Sequence, residues 1–283
     1  MKSGFVSIIG RSNAGKSTLL NSIVGTKVAI TSPKPQTTRR PVNGVLTMPE
    51  GQAVFVDTPG IMQKAKDPLT KKLLGFTKSS LKNVELIMYV VDATRSIGNE
   101  EKQALKLIEA VELPKLLVIN KTDDRKSKRY IDFYRDLKDQ FDGTIEVSAL
   151  RGSNVDRVKL WIMEHLPEGE LLYPEHQVSD MSREEQIAEI IREKLFLRLR
   201  QEVPYSVHVR VDEIIERENG TIFVAATIMT IEDRYKRMII GQGGRGIREI
   251  GQSARKELEG MSDKKFYLEL NVEVDSHWIE RLD

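Results

Sequence analysis

The chain has 283 residues, 40% hydrophobic and 30% charged, with 44 Lys and Arg against 42 Asp and Glu. At about 100–200 residues per domain, this length predicts one large or two ordinary domains. The absence of cysteine excludes disulfides and thiolate metal sites. No apolar run approaches the ~18–20 residues of a membrane span, and Met1-Lys2-Ser3-Gly4 leads into a strand-like run rather than a signal peptide, so a cytoplasmic protein is expected.

The first part of the chain alternates strand and helix signals. Phe5–Ile9 is a short apolar run before a glycine loop, and Ser17–Val24 reads as helix. Ala53–Val56 and Leu86–Asp92 are β-rich, Glu100–Val111 has helical spacing, and Leu116–Ile119 is a buried-type strand. Ser127–Phe141 reads as helix, Thr144–Val147 as strand and Val155–Leu166 as helix. Such alternation predicts an α/β domain, a mostly parallel sheet with helices on both faces. Pro167-Glu168-Gly169-Glu170 and Tyr173-Pro174 interrupt the pattern. The expected layout is a first domain over 1–170, a linker over 171–180 and an α+β domain over 181–283. In that second domain, Ser182 and Glu185 form a capping box before a helix running to Gln201. Strands Ser206–Glu216 and Thr221–Ile231 are joined at Asn219-Gly220, a hairpin signal. The loop Gly241–Gly244 then opens a helix ending near Gly260, followed by a strand over Phe266–Val274.

Gly10-Arg11-Ser12-Asn13-Ala14-Gly15-Lys16-Ser17 fits the P-loop pattern and sits between a strand and a helix, with Thr18 continuing the helix. Its inward N–H groups and the helix N-terminus suit phosphate. Lys16 is expected to reach the β- and γ-phosphates, and the Ser17 hydroxyl to ligate Mg²⁺. Asp57-Thr58-Pro59-Gly60 follows a strand, where a carboxylate can hold Mg²⁺ through water and the Gly60 N–H can sense a γ-phosphate. In the intervening Gln36-Thr37-Thr38-Arg39, a threonine can complete the magnesium shell. Thr38 is preferred, with Thr37 the alternative.

Asn120-Lys121-Thr122-Asp123 follows the strand Leu116–Ile119. The Asp123 carboxylate can accept from guanine N1–H and the exocyclic amine, donors that adenine lacks in that arrangement, so a buried, unpaired carboxylate would penalise ATP. Lys121 can cover the purine plane, Asn120 can tie neighbouring loops together, and the N–H groups of Ser148-Ala149-Leu150 can meet guanine O6. The motifs in this order predict a GTPase acting on GTP to give GDP. The residue after Gly60 is Ile61, which cannot polarise water as the glutamine of Ras-type enzymes does, and Gln63 is out of register. The Asn13 side chain is a candidate to hold a monovalent cation in compensation, its alternative being a purely loop-stabilising role. Lys16, Thr38, Gly60 and Asn13 form the expected catalytic set.

Residues 181–283 carry 17 basic against 20 acidic residues, yet 234–256 holds seven bases against one acid, Glu249. A basic patch on an acidic domain suggests a polyanion site. Within it, Gly241-Gln242-Gly243-Gly244 is a Gly-X-X-Gly loop opening a basic helix, the arrangement with which KH domains clamp single-stranded RNA. Lys236, Arg237, Gly241, Gln242, Gly243, Gly244, Arg245 and Arg248 are the expected RNA contacts. The order of helix, hairpin, glycine loop with helix, and strand resembles a type II KH domain. The alternative is a domain that docks a protein partner.

Taken together, the P-loop, Gln36-Thr37-Thr38-Arg39, Asp57-Thr58-Pro59-Gly60, Asn120-Lys121-Thr122-Asp123, Ser148-Ala149-Leu150 and Ile240-Gly241-Gln242-Gly243-Gly244 make nearly the whole chain similar to the Era family of GTPases. The resemblance implies binding of small-subunit ribosomal RNA near its 3′ end, assistance to small ribosomal subunit assembly, a monomer, and peripheral association with the inner face of the membrane in some settings. It implies that Thr38 is the magnesium threonine, and that Asn13 matches an asparagine linked to K⁺ in related GTPases. There are departures. Ser12 replaces a usual proline, Met62-Gln63-Lys64-Ala65-Lys66 replaces the family's usual basic stretch, and Gln242 replaces a common lysine, with Arg245 and Arg248 left to compensate.

Overall fold

The computed structural model describes residues 1–61, 68–200 and 202–280; Met62–Lys66, where the sequence departs from the family pattern, and Gln201 lie outside them. The chain forms two compact units, one of 1–31 with 38–180 and one of 32–37 with 181–283.

The first unit is built on a six-stranded sheet of order β2-β3-β1-β4-β5-β6. Its strands are β1 (Lys2–Ile9), β2 (Val42–Met48), β3 (Gly51–Asp57), β4 (Leu86–Asp92), β5 (Lys115–Asn120) and β6 (Gly143–Glu146). All neighbours pair in parallel except β2, which runs antiparallel to β3. Strand β2 escapes the sequence reading because Asn43 and Gly44 break its apolar run. Strands β4 and β5 are wholly or almost wholly buried, as a parallel sheet covered on both faces requires. On one face Ile87, Tyr89 and Val91 of β4 join Leu117 and Ile119 of β5. They pack beneath Ala104 and Ile108 of α3 (Asn99–Glu109) and beneath Tyr134. Helices α1 (Lys16–Val24) and α5 (Val155–His165) pack on each other and on the sheet.

Two further features differ from expectation. A helix not read from the sequence, α2 (Pro68–Ser79), buries Leu69, Leu73 and Thr77 at four-residue intervals. The helix expected over Ser127–Phe141 is instead the short α4 (Ile131–Arg135) between 3₁₀ turns at Arg125–Arg129 and Lys138–Gln140. Only Ser127 and Tyr134 are buried along these pieces, too few apolar anchors to hold four continuous turns against a sheet.

Residues 167–180 run along this unit. Ser3 N–H donates to Pro167 O (2.9 Å), and Val45 N–H to Val178 O (2.9 Å). The fully buried Gln52 side chain accepts from Leu172 and Tyr173 N–H and donates to Tyr173 O.

The second unit has the order α6 (Arg183–Arg198), β7 (Val207–Glu216), β8 (Ile222–Thr230), α7 (Asp233–Ile240), α8 (Arg245–Met261) and β9 (Phe266–Val274). The capping box forms as expected: Ser182 Oγ accepts from Glu185 N–H and Glu185 Oε2 from Ser182 N–H. Strand β8 pairs antiparallel with β7 and parallel with β9, so the chain must cross over between β8 and β9. It does so through α7 and α8. Helix α7 is the element that the sequence reading missed. It is only eight residues long and buries just Tyr235 and Ile239. Ile187, Ile190, Ile191 and Leu195 of α6 share one core with Val209, Val224 and Ile228 of the sheet and with Ile250, Ala254 and Leu258 of α8. Residues 32–37 close the end of α6. The Lys34 ammonium donates to the carbonyls of Phe196 and Leu199, a cation placed where a helix C-terminus favours it. The buried Arg192 donates to Thr37 O (2.6 Å).

Candidate nucleotide site and glycine-loop surface

Parallel strands deliver their C-terminal residues to one edge of the sheet, where ligands of α/β folds bind. Here β1 runs into the P-loop, β3 ends at Asp57, β4 at Asp92 and β5 at Asn120. Lys16, at the start of α1, is buried, and its ammonium donates to the carbonyls of Gly10 (3.2 Å) and Arg11 (3.1 Å). Burial pushes its pKa down to about 8; the Asp57 carboxylate opposes this shift and the Arg11 guanidinium adds to it.

Ser17, Thr38 and Asp57 converge. Ser17 Oγ donates to Asp57 Oδ2 (2.6 Å), Thr38 Oγ1 donates to the same oxygen (3.3 Å), and the two hydroxyls lie 3.0 Å apart. Asp57 is fully buried, and its other oxygen, Oδ1, has no hydrogen-bond partner among the described residues. Burial raises the Asp57 carboxyl above its usual range, against the pull of Lys16, Ser17 and Thr38. The sequence reading prefers Thr38 for this cluster, with Thr37 as the alternative. In the structure Thr37 is engaged elsewhere, its hydroxyl with Ser32 (2.6 Å) and Lys34 O (2.8 Å), and Thr38 is the one beside Asp57.

The remaining loop residues are held by main-chain contacts. Thr58 Oγ1 donates to Ile8 O (2.7 Å), and Pro59 O accepts from Thr77 Oγ1 (2.9 Å). Gly60 lies so close to Ser12 that an added Cβ would sit 2.4 Å from its Cα. Ile61 N–H donates to Gly10 O (3.1 Å) and accepts at its carbonyl from Ser12 N–H (3.2 Å). Its side chain is 2% exposed, in the core with Ile9 and Tyr89. Ala14 is buried and Thr18 half-buried in α1.

Asn120 ties three loops: its amide donates to Ala14 O (2.9 Å) and its oxygen accepts from Ala149 N–H (3.0 Å). The Ala149 N–H, one of the three backbone donors expected at guanine O6, donates to Asn120 here. Lys121, with a left-handed φ of 65°, donates to Asn13 O (2.7 Å) and Asp92 Oδ2 (2.8 Å). Asp123 Oδ1 accepts from Ser148 Oγ (2.6 Å). Asp123 is exposed rather than buried, and Leu150 is 76% exposed. The sequence reading missed Asp92. The signal was present, since it ends an apolar strand as Asp57 and Asn120 do and pairs in register with Asn120.

In the second unit, Gly241 closes α7 and Gly244 opens α8, with φ of 71°, 57° and 74° at Gly241, Gly243 and Gly244. These are left-handed conformations that side chains resist. Gln242, Gly243, Arg245, Arg248 and Arg237 are exposed and Lys236 is half-buried. Arg234 pairs with Glu202 (2.8 Å), and the acid of the patch, Glu249, pairs with Arg198 (2.8 Å).

Comparison with known proteins gives two family matches: "50S ribosome-binding GTPase" over residues 5–121 and "KH domain" over 202–279. GTPase Era of Halothermothrix orenii is 42% identical over 281 residues, 99% of this chain and 95% of that one. GTPase Era of Carboxydothermus hydrogenoformans is 44% identical over 280 residues, 98% and 94% of the two chains. Among solved structures, Era in complex with MgGDPNP and nucleotides 1506–1542 of 16S ribosomal RNA superposes with a TM-score of 0.93 at 37% identity, covering 100% of this chain and 96% of that one. A variant of Aquifex aeolicus Era bound to GDP and AlF4⁻ gives the same score and identity, covering 100% and 97%. Identity above 40% along almost the whole of both chains, over a nucleotide-type unit followed by a KH domain, makes this chain a member of the Era family of GTPases.

Proposed function

We propose that the protein is a GTP-hydrolysing switch that binds small-subunit ribosomal RNA near its 3′ end and assists assembly of the small ribosomal subunit. The observation that carries the nucleotide part is the cluster of Ser17, Thr38 and Asp57 oxygens beside the buried Lys16. The set is all hard oxygen, and Asp57 Oδ1, without a hydrogen-bond partner among the described residues, is an acceptor that suits a magnesium shell. Ser17, Thr38 and Asp57 would hold Mg²⁺, which when bound neutralises charge on the phosphates. Lys16 supplies the protein's own cation to the β- and γ-phosphates, and the Gly60 N–H the contact that distinguishes GTP from GDP. At the base, Asp123 reads the guanine donors. Because it is exposed, its desolvation penalty arises only when a purine covers it, so an adenine that offers no donor is rejected at that moment. With Ala149 committed, Leu150 N–H is the donor proposed for guanine O6.

Ile61 is buried and has no proton to share, so attack by water lacks a side-chain organiser there. We assign that deficit to Asn13. Its left-handed backbone (φ 63°) is fixed by the Lys121 ammonium on its carbonyl, and its side-chain oxygen is the donor type that suits K⁺. Hydrolysis should be slow, and several-fold faster in KCl than in NaCl at equal ionic strength. Equal rates in both salts for the parent and Asn13→Ala would remove the cation from the reading.

The RNA assignment rests on the exposed glycine loop between α7 and α8, with Arg237, Arg245 and Arg248 around it, and on the relative that carries a 16S fragment. Replacing Gln242 and Gly243 together by Asp puts two negative charges beside phosphates and adds bulk where backbone must approach. Affinity for a single-stranded 16S 3′-end RNA should fall more than about tenfold, or ~1.4 kcal/mol, with a flatter salt dependence and unchanged GTP affinity. Filter binding at the parent's level and salt slope would reassign the loop as a helix cap and the domain to protein docking. The proposed setting is a cytoplasmic monomer that visits the inner face of the membrane peripherally; no helix among the described residues is long and apolar enough to cross a membrane.

A further inference from the structure

Both nucleotide loops contain a non-glycine residue held in the left-handed region, Asn13 at φ 63° in the P-loop and Lys121 at φ 65° in the base loop. Such residues carry backbone strain and persist only where surrounding contacts over-determine them. One side chain links the two: the Lys121 ammonium donates to Asn13 O at 2.7 Å and to Asp92 Oδ2 at 2.8 Å. Asp92 is itself 2% exposed. Its Oδ1 accepts from the Thr94 N–H (2.9 Å) and hydroxyl (2.6 Å), which fixes the plane of the carboxylate. On the other side the Arg11 guanidinium, also buried, lies 3.8 Å from Asp92 Oδ2 and 3.1 Å from Glu101 at the start of α3. Burial opposes ionisation of Asp92, but the hydrogen bonds of Lys121 and Thr94 outweigh it and hold the carboxyl below its usual range. The anion is therefore permanent at neutral pH. It faces two cations, one from each nucleotide loop.

We propose that Asp92 is a positioning residue that sets how long the protein retains guanine nucleotide, by locking the Lys121 ammonium onto the P-loop carbonyl of Asn13. This rests on the assignment of the P-loop and base loop as the nucleotide site. Without the carboxylate, the Lys121 ammonium keeps only the neutral Asn13 carbonyl, its tie between the base loop and P-loop loosens, and nucleotide escapes faster. Arriving nucleotide still meets the same surface, so the change falls on dissociation, where affinity differences between variants of one site mostly lie.

The test is the release rate of fluorescently labelled GDP, chased with excess GDP, for Asp92→Ala, Asp92→Asn, Lys121→Ala and the double variant Asp92→Ala with Lys121→Ala. Asp92→Ala should release GDP about tenfold faster, and Asp92→Asn, which keeps the shape and loses the charge, at least threefold faster. Lys121→Ala should be at least as fast as Asp92→Ala. The double variant should exceed Lys121→Ala by less than about twofold, since Asp92 acts through a group already gone. A role confined to holding the fold would instead lower the melting temperature and multiply the two effects; that result overturns the proposal. Parent-like release from Asp92→Asn overturns it as well, and this variant remains informative if Asp92→Ala fails to fold. If Lys121→Ala also releases GDP at the parent's rate, the base-loop assignment itself falls. Fast release from Lys121→Ala with parent-like release from the Asp92 variants sinks only the role of Asp92.

Discussion

Lys16→Ala should weaken both GTP and GDP by at least about 100-fold, because removing one partner of a buried charge pair costs about 3–5 kcal/mol. In the structure the ammonium is buried among the carbonyls of Gly10 and Arg11, a position that a phosphate oxygen would share. The same burial gives the site a pH signature. Lys16 alone titrates at about 8, and a bound polyanion raises that value, so below pH 8 the lysine is already charged and binding takes up little proton. Above pH 8 the free protein loses the proton and must regain it on binding. Affinity should then fall by up to about tenfold per pH unit until the pKa of the complex is reached. Titration calorimetry at pH 7 and pH 9 measures both effects, and the slope should vanish in Lys16→Ala. A variant that binds GTP within threefold of the parent would refute the phosphate role.

Asp123→Asn should lower GTP affinity by about 100-fold or more and let xanthosine triphosphate bind in its place. A site built to hydrogen-bond a group rejects the analogue that mismatches it by large factors, since a polar pair is left unmade. The amide turns a donor toward guanine's own donors, whereas xanthine offers a carbonyl where guanine has its amine. The fold should tolerate the change, because the retained oxygen can still accept from Ser148 Oγ, as Asp123 Oδ1 does. Competition between GTP and xanthosine triphosphate for the variant checks the swap. Unchanged preference for GTP would remove Asp123 from the base site.

Much of the site is legible in the sequence because its chemistry is carried by short contiguous stretches at the ends of strands. The P-loop, Asp57-Thr58-Pro59-Gly60 and Asn120-Lys121-Thr122-Asp123 need no knowledge of packing to be found. What escaped depends on contacts distant in sequence. Asp92 matters through Lys121 and Arg11, and its place at the end of an apolar strand gains meaning only once those partners are known. The sequence prefers Thr38 over Thr37 without a physical reason to separate two threonines on one loop; that reason lies in Arg192 and Ser32, which hold Thr37. Nothing in the sequence shows that the Ala149 N–H donates to the Asn120 side chain. In the fold, α7 was hidden inside a charge cluster, its two buried anchors outnumbered by bases, and the broken α4 region carried helix-forming residues without the apolar spacing to use them.

The assignment of Ser32–Thr37 to the second unit bears on how the chain can be taken apart. Residues 181–283 are contiguous, yet they are not the complete body: the lysine that caps the end of α6 and the carbonyl that receives the Arg192 guanidinium both come from more than 140 positions upstream. A proteolytic or recombinant fragment starting at Met181 would leave the carbonyls of Phe196 and Leu199 to water and the Arg192 guanidinium without its Thr37 acceptor. The complementary fragment would keep Ser32–Thr37 without the α6 carbonyls and the Arg192 guanidinium that Lys34 and Thr37 meet. In the language of protein dissection, the second body is discontinuous in sequence, and a single cut after Asp180 does not release it whole.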